Sequence, residues 1–177
     1  MGILQNRLVA IILCAVMVMG ASFVGSGISL RTLRAQSEAV FELGGLQRDL
    51  SEIAAQSYNV TVIAGRYMPQ NSPDVALVLQ KRDDLINNAA TPGKKSLVAG
   101  ELTGAVTALR HTLEMLDLSD SDRDMLQKCK VNIDSRLSTI DNSRYNESAA
   151  SFNRALGSFP ANFLGPLTGV TPLELYK

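Results

Sequence analysis

Apolar residues recur every three or four positions along most of the chain after residue 31, and this period predicts helices. Three breaks interrupt the pattern. Pro69 disfavours helical geometry in the residue before it, Thr91-Pro92-Gly93 is a turn, and Ser119–Asp122 offers capping side chains to a following helix. The predicted helices are about 31–68, 73–90, 94–118 and 120–159. The pattern therefore predicts an all-α fold, with an antiparallel four-helix bundle in residues 31–177.

Two positions along these helices depart from the regular period. Gly44-Gly45 interrupts the first helix and is predicted to bend it. In the fourth helix the step from Ile140 to Tyr145 is five residues, which resets the apolar stripe. Apolar positions there average about 3.7 residues apart, which indicates a straight bundle helix more than a coiled coil of period about 3.5. The predicted inward-facing residues are Leu126, Cys129, Ile133, Leu137, Ile140, Tyr145, Ala149, Phe152, Leu156 and Phe159.

An uncharged segment, Leu8–Leu30, lies between Arg7 and Arg31. Its length matches the roughly 20 residues that cross a bilayer as a helix. We expect one uncleaved transmembrane anchor within residues 1–30, because the neutral stretch continues well past any plausible cleavage point. The small residues of Gly20–Gly27 also fit a secretory signal with a cleavage site, and that alternative stays open.

The charges beside this segment bear on its orientation. Arg31 and Arg34 follow it, whereas Arg7 and the α-amino group precede it. Segments on the cytoplasmic side of a membrane are enriched in Lys and Arg. Because the positive charges on the two sides of the span are nearly balanced, they favour a cytoplasmic C-terminal domain only slightly. The predicted location is the cell membrane, with a single N-terminal span.

Three residue pairs recur at a spacing of seven: Tyr145-Asn146, Phe152-Asn153 and Phe159-Pro160. Seven residues are close to two helical turns, so the three aromatic side chains are predicted to form one buried stripe that Pro160 ends. Asn146 and Asn153 then lie beside the stripe. We expect their amides to bond backbone or a neighbouring helix, and the alternative is a polar patch that faces a partner protein.

The composition of the chain argues against several classes of function. Acidic and basic residues are equal in number, 17 each, and no Lys/Arg run appears, so nucleic acid is not an expected partner. His111 is the only histidine and is predicted to be a surface or half-buried residue of a helix. Cys129 is predicted as a small core residue, because Lys128 and Lys130 point to other faces and leave no base to activate its thiol. We expect no catalytic residue, no metal and no cofactor.

The segment Tyr145–Pro160 resembles the C-terminal signature of the LemA family, in which Tyr-Asn, a second aromatic-Asn pair and Phe-Pro recur at this spacing. The resemblance covers roughly Ser138–Tyr176. The residues that resemble the family's tail are Leu164, Leu167, Gly169 and Val170. The family's upstream Asp-Leu-Ile-Pro-Asn-Leu run is degenerate here. It resembles Asn59–Tyr67 or Arg82–Asn88, and we prefer Asn59–Tyr67 because it lies on the helix that directly follows the anchor. The residues after Phe159 are too apolar for a disordered tail and are expected to fold back and cap the bundle.

The LemA resemblance implies a bacterial helical bundle on a membrane anchor, without enzymatic activity. It also implies partners in the envelope, namely the lipid bilayer and other membrane proteins, a membrane protease among them. The resulting hypothesis is a membrane-anchored interaction or scaffold protein, and the biological process is not specified. The alternative is a ligand-sensing helical domain, which requires polar groups that converge on a pocket between helices.

Overall fold

The computed structural model describes residue 25 and residues 27–43, 45–69 and 71–176. This part of the chain contains only helices and connections, without a strand, so the all-α prediction is confirmed. We number the helices α1 to α7 in chain order. They are α1 over 27–43, α2 Leu46–Ala64, α3 Pro73–Asp83 with a π-helical turn Asp84–Asn88, α4 Pro92–Glu114, α5 Asp120–Asp141, α6 Tyr145–Gly157 and α7 Ala161–Thr168.

Two predicted helices are each divided in two. The predicted first helix separates into α1 and α2 next to Gly45, whose φ of 90° is left-handed and outside the helical range. Gly44 lies outside the described residues. The predicted fourth helix separates into α5 and α6 at residues 142–144, where Asn142 ends α5 with a φ of −91° and a ψ of 9°. The single helix predicted over 120–159 was therefore wrong.

Helix starts follow the capping chemistry of the sequence in part. Pro73 and Pro92 occupy the first turn of α3 and α4, where a missing N–H costs nothing. The Thr91 side chain accepts from the Lys94 amide at 3.4 Å, and the Ser119 hydroxyl accepts from the Asp122 amide at 3.2 Å. Ser72 holds the N-cap position of α3 without a side-chain cap.

The chain divides into two compact units. The central unit contains Ala39–Glu147 together with Glu174–Lys177, and the terminal unit contains the described residues up to Glu38 together with Ser148–Leu173. In the central unit α2 packs most extensively against α5 and also against α3 and α4, while α4 and α5 hardly touch each other. Its largest fully buried aliphatic side chains are Leu46, Ile53, Ile63, Leu102, Leu109, Leu113, Val60, Val75 and Val78.

The terminal unit joins the start of α1 to the chain after residue 147. The Arg31 guanidinium donates to the Thr168 carbonyl oxygen at 2.9 Å, and the Ser148 hydroxyl donates to the Ser37 hydroxyl at 3.1 Å. Its buried apolar residues are Leu30, Ala149, Phe152, Leu156, Leu164, Val170 and Leu173. Among the described helices none is long and apolar enough to span a bilayer. Residues 8–24 of the predicted span lie outside the described residues.

Candidate functional site

Tyr145 opens α6 within the core of the central unit. Its ring meets the Phe41 ring edge-on, with centroids 5.1 Å apart, and its hydroxyl donates to the Glu174 carbonyl oxygen at 2.6 Å. Tyr145 therefore holds the chain terminus through a polar tip while its ring fills the core. The prediction that Tyr145 is a core residue agrees with its burial.

Asn146 also hydrogen-bonds the C-terminal segment of the central unit, through both the nitrogen and the oxygen of its side-chain amide. Its Nδ2 donates to the Tyr176 carbonyl oxygen at 2.5 Å, and its Oδ1 accepts from the Tyr176 amide at 2.8 Å. Burial raises the pKa of the Tyr176 phenol to about 12, against the opposing effect of a hydrogen bond with Ser96. A side-chain amide with two backbone bonds fixes the position of residue 176 as an adjacent strand would.

Asn153 makes the equivalent pair of bonds inside the terminal unit. Its Nδ2 donates to the Leu173 carbonyl oxygen at 2.9 Å, and its Oδ1 accepts from the Leu173 amide at 2.8 Å. Phe152, the residue before it, is buried. Both asparagines predicted beside the stripe thus bond the backbone of the C-terminal segment within the chain. Each amide thus engages one N–H and its oxygen within the chain, which agrees with the packing interpretation.

The third pair, Phe159-Pro160, departs from the prediction. α6 ends at Gly157, so the seven-residue period no longer applies at Phe159, and its side chain is 87 % exposed. The buried placement predicted for Phe159 is therefore wrong. Pro160 does separate two helices, and its carbonyl oxygen accepts from the Leu164 amide at 3.1 Å at the start of α7.

A buried carboxylate, Asp122, lies in the central unit at a position where the sequence predicted a helix cap. Asp122 accepts hydrogen bonds from the Tyr67 hydroxyl at 2.6 Å, from the Ser119 hydroxyl at 3.1 Å and from the Arg66 guanidinium. The Tyr67 bond, with help from Ser119 and Arg66, lowers the pKa of Asp122 below its ordinary value. All these donors come from the end of α2 and the start of α5, so the cluster ties those two helix ends together. Sequence suggested only capping here.

The α4 and α5 helices border an open groove of about 420 Å³ in the central unit. The α4 side carries small residues, and a Cβ added at Gly100 or Gly104 would meet no atom within 4 Å. The lining residues are Gly100, Thr103, Gly104, Val106, Thr107, Arg110, Lys130, Ile133, Asp134 and Leu137. The repeat of Gly and Thr three or four apart on α4 was the sequence signal for this groove. It indicates an uncovered helix face only once the packing of α4 is known.

The residues considered for chemistry lie apart from this groove. Cys129 is buried on α5, and burial raises the pKa of its thiol, so the predicted core role is confirmed. His111 is exposed on α4, as predicted. Within the described ranges no three His, Cys, Asp or Glu side chains are grouped closely enough to hold a metal ion.

Comparison with known proteins identifies no relative. The chain matches no protein-family profile, no curated protein and no solved structure. The LemA resemblance of residues 145–160 therefore stays a prediction from the sequence.

Proposed function

We propose that this chain is a non-catalytic, membrane-anchored interaction protein of LemA type. Its helical part serves as an antiparallel four-helix scaffold, built from α2 to α5, on one N-terminal transmembrane helix. The uncharged segment Leu8–Leu30 supports the anchor, and the Tyr-Asn and Phe-Asn pairs on α6 support the family. Its partners are other membrane or envelope proteins, with a membrane protease as one candidate. No part of this proposal requires a cofactor.

The observation that carries the proposal is the groove between α4 and α5. A helix surface that lacks large side chains allows the backbone of another helix to approach closely, as at packed helix interfaces. Gly100 and Gly104 give α4 such a surface one turn apart, and nothing within the unit covers it. Ile133 and Val106 supply an apolar floor, and both are buried. A partner helix is the occupant that this shape fits best.

The same groove favours one alternative, a ligand-sensing domain. Arg110, Lys130 and Asp134 line it, so charged groups converge where a small polar molecule has room. Arg110 also has a buried Nε without a hydrogen-bond partner, although another nitrogen of its guanidinium pairs with Glu114 at 2.7 Å. Arg110 borders the groove, so an anionic ligand there would pair with its guanidinium charge.

Site-specific photocrosslinking in native membranes distinguishes the two. A photoreactive amino acid replaces Thr107 in the groove, and the control carries it at Ala108, which is also exposed on α4 but does not line the groove. We expect one recurring protein adduct from position 107 and none from 108. The adduct should disappear in Gly104→Trp, because a large side chain at this open position would occupy the groove.

The contrary result is equally specific. Absence of adducts at both positions, together with a small anion that raises Tm in the parent but not in Arg110→Gln, excludes the interaction role. The ligand-sensing alternative then replaces it.

A further inference from the structure

The segment Phe159–Thr168 carries an exposed apolar face. Phe163 and Leu167 lie one turn apart on α7 and are 67 % and 60 % exposed, and Phe159 precedes them by four residues at 87 %. The opposite side of the helix is buried through Leu164 and Gly165. We call Phe159, Phe163 and Leu167 the α7 face. Phe163 and Leu167 share one side of α7, and Phe159 exposes a third large apolar side chain just before the helix begins. Together they indicate a surface that something else covers.

The start of α1, at Gly27, lies beside the C-terminal end of α7, at Thr168. A Cβ at Gly27 would lie 2.9 Å from Thr168 Cγ2, so the Gly27 backbone packs closely against the Thr168 side chain. Arg31 extends this contact through its bond to the Thr168 carbonyl oxygen. The uncharged stretch that begins at Leu8 therefore ends beside the residue that follows Leu167. A bilayer that begins at this end of the stretch would lie next to the α7 face.

Charge in the terminal unit fits a lipid surface. Its described residues include three arginines, Arg31, Arg34 and Arg154, and a single acid, Glu38. The net charge of this unit is thus positive, whereas the whole chain is neutral. Exposed phenylalanines beside cations are typical of helices that lie in a membrane interface and meet anionic headgroups.

We propose that the α7 face lies in the interfacial region of the lipid bilayer, next to the N-terminal anchor. The inference rests on the anchor of the proposed function. α7 has eight residues, a length of about 12 Å, so it lies along the membrane surface and does not cross it. The anchor holds the chain in the membrane, and the α7 face fixes how the terminal unit rests on it.

The absence of tryptophan from the chain makes the test direct, since each variant then carries one reporter. The full chain bearing Phe163→Trp is reconstituted into vesicles of phosphatidylcholine and phosphatidylglycerol with brominated or ordinary acyl chains. The matched control is Leu97→Trp on α4, because Leu97 is 64 % exposed and therefore as accessible as Phe163. Flotation of the vesicles first establishes that the chain is bound.

We expect brominated lipid to quench Phe163→Trp by roughly half, with a blue-shifted emission, and to leave Leu97→Trp nearly unchanged. Adding Leu167→Glu to Phe163→Trp places a charge on the face and restores most of the emission. Far-UV circular dichroism stays the same, because Leu167 is not part of the core.

Each other outcome overturns the inference in a recognisable way. Flotation without quenching at position 163 removes the inference and leaves the membrane anchor intact, while failure to float overturns both. Equal quenching at 97 and 163 removes the assignment to α7. Protection of position 163 from aqueous iodide without lipid quenching shows that a second copy of the chain covers the face instead.

Discussion

Gly104 on α4 gives the sharpest stability prediction. Glycine inside a helix is less stable than alanine by about 0.8–1.0 kcal/mol, because it loses more backbone entropy on folding. The new methyl group meets no atom within 4 Å at Gly104, so no steric cost offsets this gain. Gly100 has the same open surroundings. Gly104→Ala should therefore raise the free energy of unfolding by about 1 kcal/mol, and the double replacement with Gly100→Ala by about 2 kcal/mol.

The assay is urea and thermal unfolding of the full chain in detergent, followed by circular dichroism. For a chain of this length the single replacement should raise Tm by about 2–4 °C. Gly45→Ala is the control in the same unit and should change Tm in the opposite direction. Gly45 has a φ of 90°, and a left-handed conformation costs an alanine about 1–2 kcal/mol.

A lowered Tm for Gly104→Ala would refute the reasoning. The added methyl would then be meeting atoms of the chain, which means that the groove between α4 and α5 is closed in solution. An unchanged Tm would show that α4 does not behave as an ordinary exposed helix at this position. Either result removes the support that the groove gives to the proposed function.

Four further replacements test the packing of α6 and the acid cluster. Phe152→Ala should lower the free energy of unfolding by about 3–5 kcal/mol in urea titration, whereas Phe159→Ala, at an exposed position, should change it by less than about 0.5 kcal/mol. Asn153→Ala leaves the backbone of residue 173 unpaired and should cost about 1–3 kcal/mol, and a neutral result would show that the segment is held by other contacts. Asp122 has a lowered folded pKa, so its stabilisation is present above about pH 4 and is lost as the pH falls through that pKa. Tyr67→Phe should therefore destabilise the chain at neutral pH, and the deficit in urea unfolding should shrink below about pH 4; a constant deficit would exclude the linkage.

The sequence predicted where helices form more accurately than where they are interrupted. The five-residue step from Ile140 to Tyr145 is the clearest case. Five residues rotate a helix by about 500°, so in one straight helix these two side chains would point about 140° apart. Both are nevertheless buried, at 3 % and 1 % exposure. The break at residues 142–144 lets the chain turn and bury both, and a sequence period cannot distinguish such a break from a shifted stripe.

The candidate surfaces were less predictable than the core. The sequence around Asp122 predicted only a capping role. Its hydrogen-bond partner Tyr67 is 55 positions away, and no local pattern joins the two residues. Gly100 and Gly104 indicate an uncovered helix face only because α4 and α5 both pack on α2 and leave the space between them open. Such features depend on which helix faces meet, and this is decided by the whole set of contacts.

The recurring pairs on α6 show what a sequence signature can and cannot specify. Asn146 and Asn153 each use an amide donor and an amide acceptor on one backbone residue of the C-terminal segment. An extended segment has no helical neighbour to satisfy its N–H and C=O groups, so an amide at each of these positions replaces the missing ladder bonds. The polar half of the pattern thus orders the last residues of the chain. The first two aromatic residues fill the core, and the third begins the α7 face. The signature therefore encodes how the C-terminal segment is held, and the two surfaces proposed for binding, the groove and the α7 face, do not include its asparagines.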